Sequence, residues 1–249
     1  MIVVTGDLHR EYDIRKLDEI AGISKVPSVV LIAGDFGGIW FDGSEDDNGV
    51  FQISEKDAAF INRLSQYPFK IISCLGNHEN YDVINRLPRT SAYGGKVIRL
   101  SDNVELLDRG YVYTIEGYNI LSIGGAMSMD RIYRQEHISF WMDEVISSDD
   151  IQRAFTQLKI FKNKVDFVLT HTCPLSVLEY ELNNSKDDNY EAKIKFALEN
   201  DPSVKLLDKV KDQILFRTWY YGHFHIDKKI ISPENNVFHC LHNSWVVLP

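Results

Sequence analysis

Met1-Ile2-Val3-Val4-Thr5-Gly6-Asp7-Leu8-His9 opens the chain, an apolar, β-branched run that passes through one glycine into a carboxylate and an imidazole. Apolar runs that end at once in Asp, Asn or His recur four times. Ser28–Ala33 leads into Gly34-Asp35, and Phe69–Leu75 into Gly76-Asn77-His78-Glu79. Val165–Thr170 leads into His171, and Leu215–Tyr221 into Gly222-His223-Phe224-His225. Runs without polar alternation fit strands covered on both faces. Helix-like segments separate them: Asp13–Ala21, Ser54–Gln66, Asp149–Lys162 and Ser203–Ile214. Ser54 is the expected cap of the second. The sequence therefore reads as α/β.

The middle of the chain has a different grain. Lys96–Leu100, Val104–Leu107, Tyr111–Ile115 and Asn119–Ile123 are short runs split by turn residues, as in a more antiparallel portion. Strands follow one another again at Lys228–Ile231, Val237–Leu241 and Trp245–Leu248. Gly37–Gly49 and Asn183–Asn189 read as loops. With neither an internal repeat nor a low-complexity linker, one domain over residues 1–249 is the simpler reading.

The polar residues at the five strand ends carry the chemistry. In α/β sheets ligands gather beyond the carboxyl ends of strands, so these loops are expected to converge. Carboxylate, imidazole and amide oxygen suit a hard or borderline divalent metal. In an extended segment the i, i+2 spacing of Asp7/His9 and of His223/His225 puts each pair on one face. Seven candidate ligands exceed what one ion takes, and a shared carboxylate would divide them between two ions about 3.5–4 Å apart. A lone Asp after a strand is ordinarily a turn former, and a lone His a structural group. Recurrence at five strand ends favours the metal reading.

These motifs resemble those of the calcineurin-like metallophosphoesterases: D-x-H, G-D, G-N-H-E, a later H, and G-H-x-H, in order from residue 6 to residue 225. The resemblance implies a four-layer α/β/β/α sandwich of two facing mixed sheets, with the metal centre at the C-terminal ends of the strands. It implies that Asp7, His9 and His225 hold a first metal, that Asp35 bridges, and that Asn77, His171 and His223 complete a second site. Manganese is the leading expectation, with Fe, Zn²⁺, Co²⁺ and Ni²⁺ also accepted by such a donor set. His78 is similar to the family's catalytic histidine, a general acid toward the leaving group as a metal-bridging water or hydroxide attacks a phosphate mono- or diester. The stretch Gly124-Gly125-Ala126 through Asp130, Arg131, Arg134 and Trp141 looks like a bacterial and phage-type branch.

One departure stands out. Where the family's second block often continues to Asp-Arg, this chain has Phe36-Gly37-Gly38-Ile39 after Asp35. Glu79 is then a candidate to orient His78, and Arg131 or Arg134 to bind phosphate through a fork of donors. The same departure supports a rival reading, a non-catalytic binding or scaffold protein pinned by metals.

The remaining residues read more plainly. His137, His239 and His242 fit no motif and read as structural. Asp42, Glu45, Asp46 and Asp47 read as a solvated loop, and Trp40 and Phe41 either as a cleft wall or as core. Twenty-seven basic against 36 acidic residues give a net charge of −9, which disfavours a nucleic-acid partner. Cys74, Cys173 and Cys240 show no paired spacing and read as reduced, buried thiols. No run approaches the roughly 18 apolar residues of a membrane span, and the opening run is too short for a signal h-region. The expected setting is cytoplasmic.

Overall fold

A computed structural model describes residues 1–249. Two large mixed sheets face each other. The first has seven strands in the order Trp245–Val247, Ile2–Thr5, Val29–Ile32, Lys70–Ser73, Val104–Leu107, Gly95–Arg99, Thr90–Ala92. The second has six, in the order Lys228–Ile231, Val237–Cys240, Thr218–Tyr221, Phe167–Thr170, Tyr118–Ile123, Tyr111–Ile115. All five apolar runs at motif positions form central strands, three in the first sheet and two in the second.

Alternation along one strand explains the layering. Ile2 and Val4 point into a core shared with Phe167, Leu169 and Tyr220 of the other sheet. Val3, between them, packs outward with Leu17, Ile20, Phe60 and Leu64 of the helices Arg15–Ala21 and Glu55–Leu64. On the far side, Val168 and Trp219 pack against Ala154, Leu178, Ile194 and Leu207, which lie on four further helices. A strand buried on both faces needs no polar alternation, which is why these runs are continuous. The result is the expected α/β/β/α sandwich. No helix is long and apolar enough to cross a membrane.

The antiparallel middle is divided between the sheets. Val104–Leu107 closes the first sheet's parallel set, whereas Tyr111–Ile115 already belongs to the second. Ser54 caps its helix as expected, accepting from the Asp57 amide at 3.0 Å. The supposed loop at 183–189 is mostly helix end: Leu175–Asn184 stops there, and Asp187 caps Asp188–Asn200. Glu181 hid the first of these helices. It is a buried carboxylate on the inner face, paired with Lys228, and it interrupts the apolar stripe.

Candidate metal centre and active site

Three loops from the first sheet (6–9, 34–35 and 76–79) and two from the second (171 and 222–225) meet at one edge of the sandwich. Backbone amides fix the two carboxylates. Asp7 Oδ1 accepts from the His223 amide at 3.0 Å, and Asp35 Oδ1 from those of Asn77 and His78 at 2.8 and 2.9 Å. Glycine makes these approaches feasible. A Cβ on Gly76 would stand 2.1 Å from Asp35 Oδ1, and one on Gly222 2.1 Å from Asp7 Oδ1.

The i, i+2 argument does not describe how the ligand pairs are built. His9, Asp35, His223 and His225 have φ of 42°, 48°, 67° and 54°, so the loops turn through left-handed conformations rather than running extended. Each such residue costs on the order of 1 kcal/mol, and the bends send paired histidines to different neighbours. His223 lies edge-on to His171 at 4.9 Å, whereas His225 lies edge-on to His9 at 4.9 Å.

Hydrogen bonds settle which imidazole nitrogen faces inward. Nδ1 of His171 lies 2.8 Å from the Ala33 carbonyl, which can only accept, so Nδ1 carries the proton. Its Nε2 then faces Asn77 Oδ1 and Asp35 Oδ1, each at 3.0 Å. His9 repeats the arrangement with Nδ1 2.6 Å from Asp13 Oδ2 and Nε2 3.3 Å from Asp35 Oδ2. An outer acceptor that fixes ring and tautomer is the usual support of a metal-binding histidine. Asn77 is oriented likewise: its Nδ2 donates to Ser128 Oγ at 3.3 Å, and Ser128 Oγ donates to the buried Glu144 at 2.8 Å.

Two buried atoms, Asp7 Oδ2 and His223 Nε2, have no hydrogen-bond partner. Leaving such groups unsatisfied costs about 1–3 kcal/mol each, and a divalent cation would satisfy both. The electrostatics agree. Burial pulls His9 and His171 down, but the hydrogen bonds and charges of Asp35, with Asp7, outweigh it and raise both to about 9. Burial with His171 beside it pushes His223 well down, and burial, against the pull of Asp7, takes His225 down to about 4. The site is thus a pocket of negative potential into which His223 and His225 present neutral imidazoles, and the residues fit divalent metal.

His78 stands on the open side. Its Nε2 is 3.9 Å from Asp35 Oδ2 and 3.2 Å from Arg134 Nη2. Burial, reinforced by Arg134 and resisted by Asp35, lowers its pKa. Glu79 does not orient it. The Glu79 carboxylate is fully buried and accepts from the amides of Phe36, Gly37 and Gly76, tying the Asp35 loop to the Asn77 loop. Burial, then the charge of Asp35, pushes it up to about 8 against those three donors. The two arginines separate. Arg134, held by Asp130 at 2.6 Å and Ser139 O at 2.8 Å, lines a cleft of about 980 Å³ over the site. Arg131 instead lies over the Phe140 ring and contacts Met142. Trp40 and Phe41 line the cleft, while His137 pairs with Asp82.

The sequence did not single out several participants. Asp13 and Glu144 gave no motif signal, and Ser128 lies in a segment read only by likeness. Lys16 is buried and donates to the carbonyls of Gly6, Asp7 and His242, joining strand-end loops. His242, read as structural, stacks on His225 with centroids 4.7 Å apart. Asp13 sits four residues after His9 across a tight turn, a spacing that offers a retrospective clue.

A four-layer sandwich with carboxylates, imidazoles and an amide gathered at its strand ends defines a metallohydrolase. Residues 1–227 match the family model of the calcineurin-like phosphoesterases, and the chain belongs to that family. It is a hydrolase of the metallophosphatase class, and its family works on phosphoesters with divalent metal ions. Among solved structures, TT1561 of Thermus thermophilus superposes with a TM-score of 0.55 at 12% identity, over 97% of this chain and 88% of that one. The phosphopantetheinyl hydrolase PptH from Mycobacterium tuberculosis gives 0.44 at 14% identity, over 97% and 89%. At 12% identity the likeness to TT1561 is one of fold. No curated protein sequence matches the chain.

Proposed function

We propose that this protein hydrolyses a phosphate monoester or diester at a dinuclear metal centre, working as one domain over residues 1–249. Asp7, His9 and His225 hold the first metal, Asn77, His171 and His223 the second, and Asp35 is shared. Manganese is the leading candidate. The observation that carries this reading is the division of donors around Asp35, whose two oxygens face His171 and His9 separately, beside the orphaned Asp7 Oδ2 and His223 Nε2. When bound, divalent ions supply a water whose pKa falls toward about 7 and neutralise charge on the phosphoryl oxygens.

The chain's own residues do the rest. His78 is the proton donor to the leaving oxygen. A guanidinium has only donors, so its contact with His78 Nε2 requires the lone pair there. Movement of the Arg134 guanidinium onto substrate phosphate leaves Nε2 free to carry the proton it delivers. Of the two arginines only Arg134 lines the cleft, which supports it over Arg131 as the phosphate grip. The net charge of −9 favours a small-molecule or protein phosphoester over nucleic acid. Three buried free cysteines fit a reducing, cytoplasmic setting.

The test is turnover of 4-nitrophenyl phosphate and its bis-ester, with alkyl counterparts, by protein loaded with each candidate metal. Hydrolysis is expected, and His78→Ala is expected to lose about 10²–10⁴ in kcat on the alkyl esters while retaining metal. Silence on every ester with every metal would return the protein to the metal-pinned binding reading.

A further inference from the structure

We propose that Trp40 is the positioning residue for His78. The inference rests on His78 acting on the leaving group, and it begins from a contrast among the site's imidazoles. His9 and His171 each give Nδ1 to an oxygen acceptor, Asp13 and the Ala33 carbonyl. The His78 ring has no such partner; Arg134, at Nε2, is the ring's one hydrogen-bonding neighbour. A ring without an acceptor is free to turn about its side-chain torsions unless its faces are held, and a proton donor displaced by about 1 Å loses much of its effect.

The faces of His78 are held by rings. Trp40 stacks on it with centroids 5.9 Å apart and planes 23° from parallel, and His9 meets it edge-on at 5.2 Å and 86°. Both distances lie in the range where aromatic pairs attract. His9 belongs to the metal centre, so Trp40 is the wall dedicated to His78.

Trp40 is itself braced. Its amide donates to Asp57 Oδ2 at 3.1 Å, and its carbonyl accepts from Asn80 Nδ2 at 3.1 Å. Asp57 is fully buried and paired with Arg10 at 2.6 Å. The indole rests edge-on against Trp141 at 5.7 Å and 84°. Trp141 is buried in turn and donates from Nε1 to Asp82 at 2.8 Å. The brace thus runs from the helix Glu55–Leu64, Asn80 and the Trp141 ring to one face of His78. It follows directly on Phe36-Gly37-Gly38-Ile39, a segment with no side chain able to accept from an imidazole.

Positioning a proton donor matters in proportion to the basicity of the departing oxygen. An alkyl phosphate leaves as a strongly basic alkoxide and needs the proton; a 4-nitrophenyl ester leaves readily without it. The experiment compares Trp40→Leu and Trp40→Phe on both ester types, with metal content measured for each. Trp40→Leu is expected to lose about 10-fold or more in kcat on the alkyl ester, a part of the roughly 10²–10⁴ such a donor supplies. Its metal content is expected to hold, and its loss on the 4-nitrophenyl ester is expected to be several-fold smaller than on the alkyl ester. Trp40→Phe, which keeps a ring on that face, is expected to recover most of the loss.

NMR of the His78 ring gives a readout independent of turnover. One sharp set of signals in the parent protein should broaden or split in Trp40→Leu, while the His171 signals stay unchanged. Equal losses on both esters, or an unchanged His78 spectrum in Trp40→Leu, would overturn the inference. Absent hydrolysis by the parent together with a broadened His78 spectrum in Trp40→Leu would overturn the proposed function, and the catalytic role of Trp40 with it, while showing that Trp40 still holds the His78 ring.

Discussion

Asp13→Ala should weaken one metal and spare the other. Asp13 Oδ2 lies 2.6 Å from His9 Nδ1, and its side chain is 21% exposed, so the contact is mostly screened from water. Hydrogen bonds to charged groups contribute about 1.5–3 kcal/mol. At about 1.4 kcal/mol per tenfold, losing this one corresponds to roughly a 10- to 100-fold weaker first site. That agrees with the roughly 10–100-fold typical for outer partners of metal-bound histidines. The other donors proposed for that site, Asp7, Asp35 and His225, should keep it from vanishing. His171 takes its outer hydrogen bond from the Ala33 carbonyl and Asn77 from Ser128, so the second site should be untouched. Calorimetric titration of metal-free protein against a competing chelator resolves the two affinities. Two unchanged constants, or two that fall together, would refute the claim that His9 and His171 serve separate ions with separate supports.

Two further expectations follow from the same geometry. In metal-free protein His9 and His171 titrate near 9, above the roughly 6.5 of an unfolded chain. Their contribution to stability is therefore fully present below about pH 6.5 and is lost as pH rises through 9. A cation needs the same nitrogens unprotonated, so metal affinity rises over that window. Chelator-treated protein should show a melting temperature that falls between these limits while the gap to metal-loaded protein widens; a constant gap would contradict the assignment. Gly76→Ala would drive a methyl to 2.1 Å from Asp35 Oδ1 and 2.2 Å from its amide. It should cost about 1–3 kcal/mol as overpacking does and shed metal, and a variant that melts normally with full metal content would remove Gly76 from that role.

Much of this was legible in one dimension. The apolar runs are continuous because their strands are covered on both faces, as Ile2, Val3 and Val4 are by alternating cores. Residue type is enough to announce metal chemistry at their ends. Helices with clean apolar stripes could be read too, whereas Leu175–Asn184, with a buried glutamate on its inner face, could not. Glu79 illustrates a further limit. A carboxylate beside His78 in sequence looked like its partner, yet the backbone turn sends it to three amides across the loop.

The order of strand-end motifs, by itself, determined the fold class and named the candidate donors, because strand burial and ligand chemistry are properties of residue type and local period. It did not determine who meets whom. His171 faces Asn77 across 94 residues, and that contact depends on two separate sheets closing face to face. The same holds for the left-handed turns that part His223 from His225, for Asp13 and Ser128 behind the ligands, and for Trp40 and Arg134 around His78. Each of these is a relation between loops from different strands, set by how the sheets pair and pack, and no spacing along the chain encodes it.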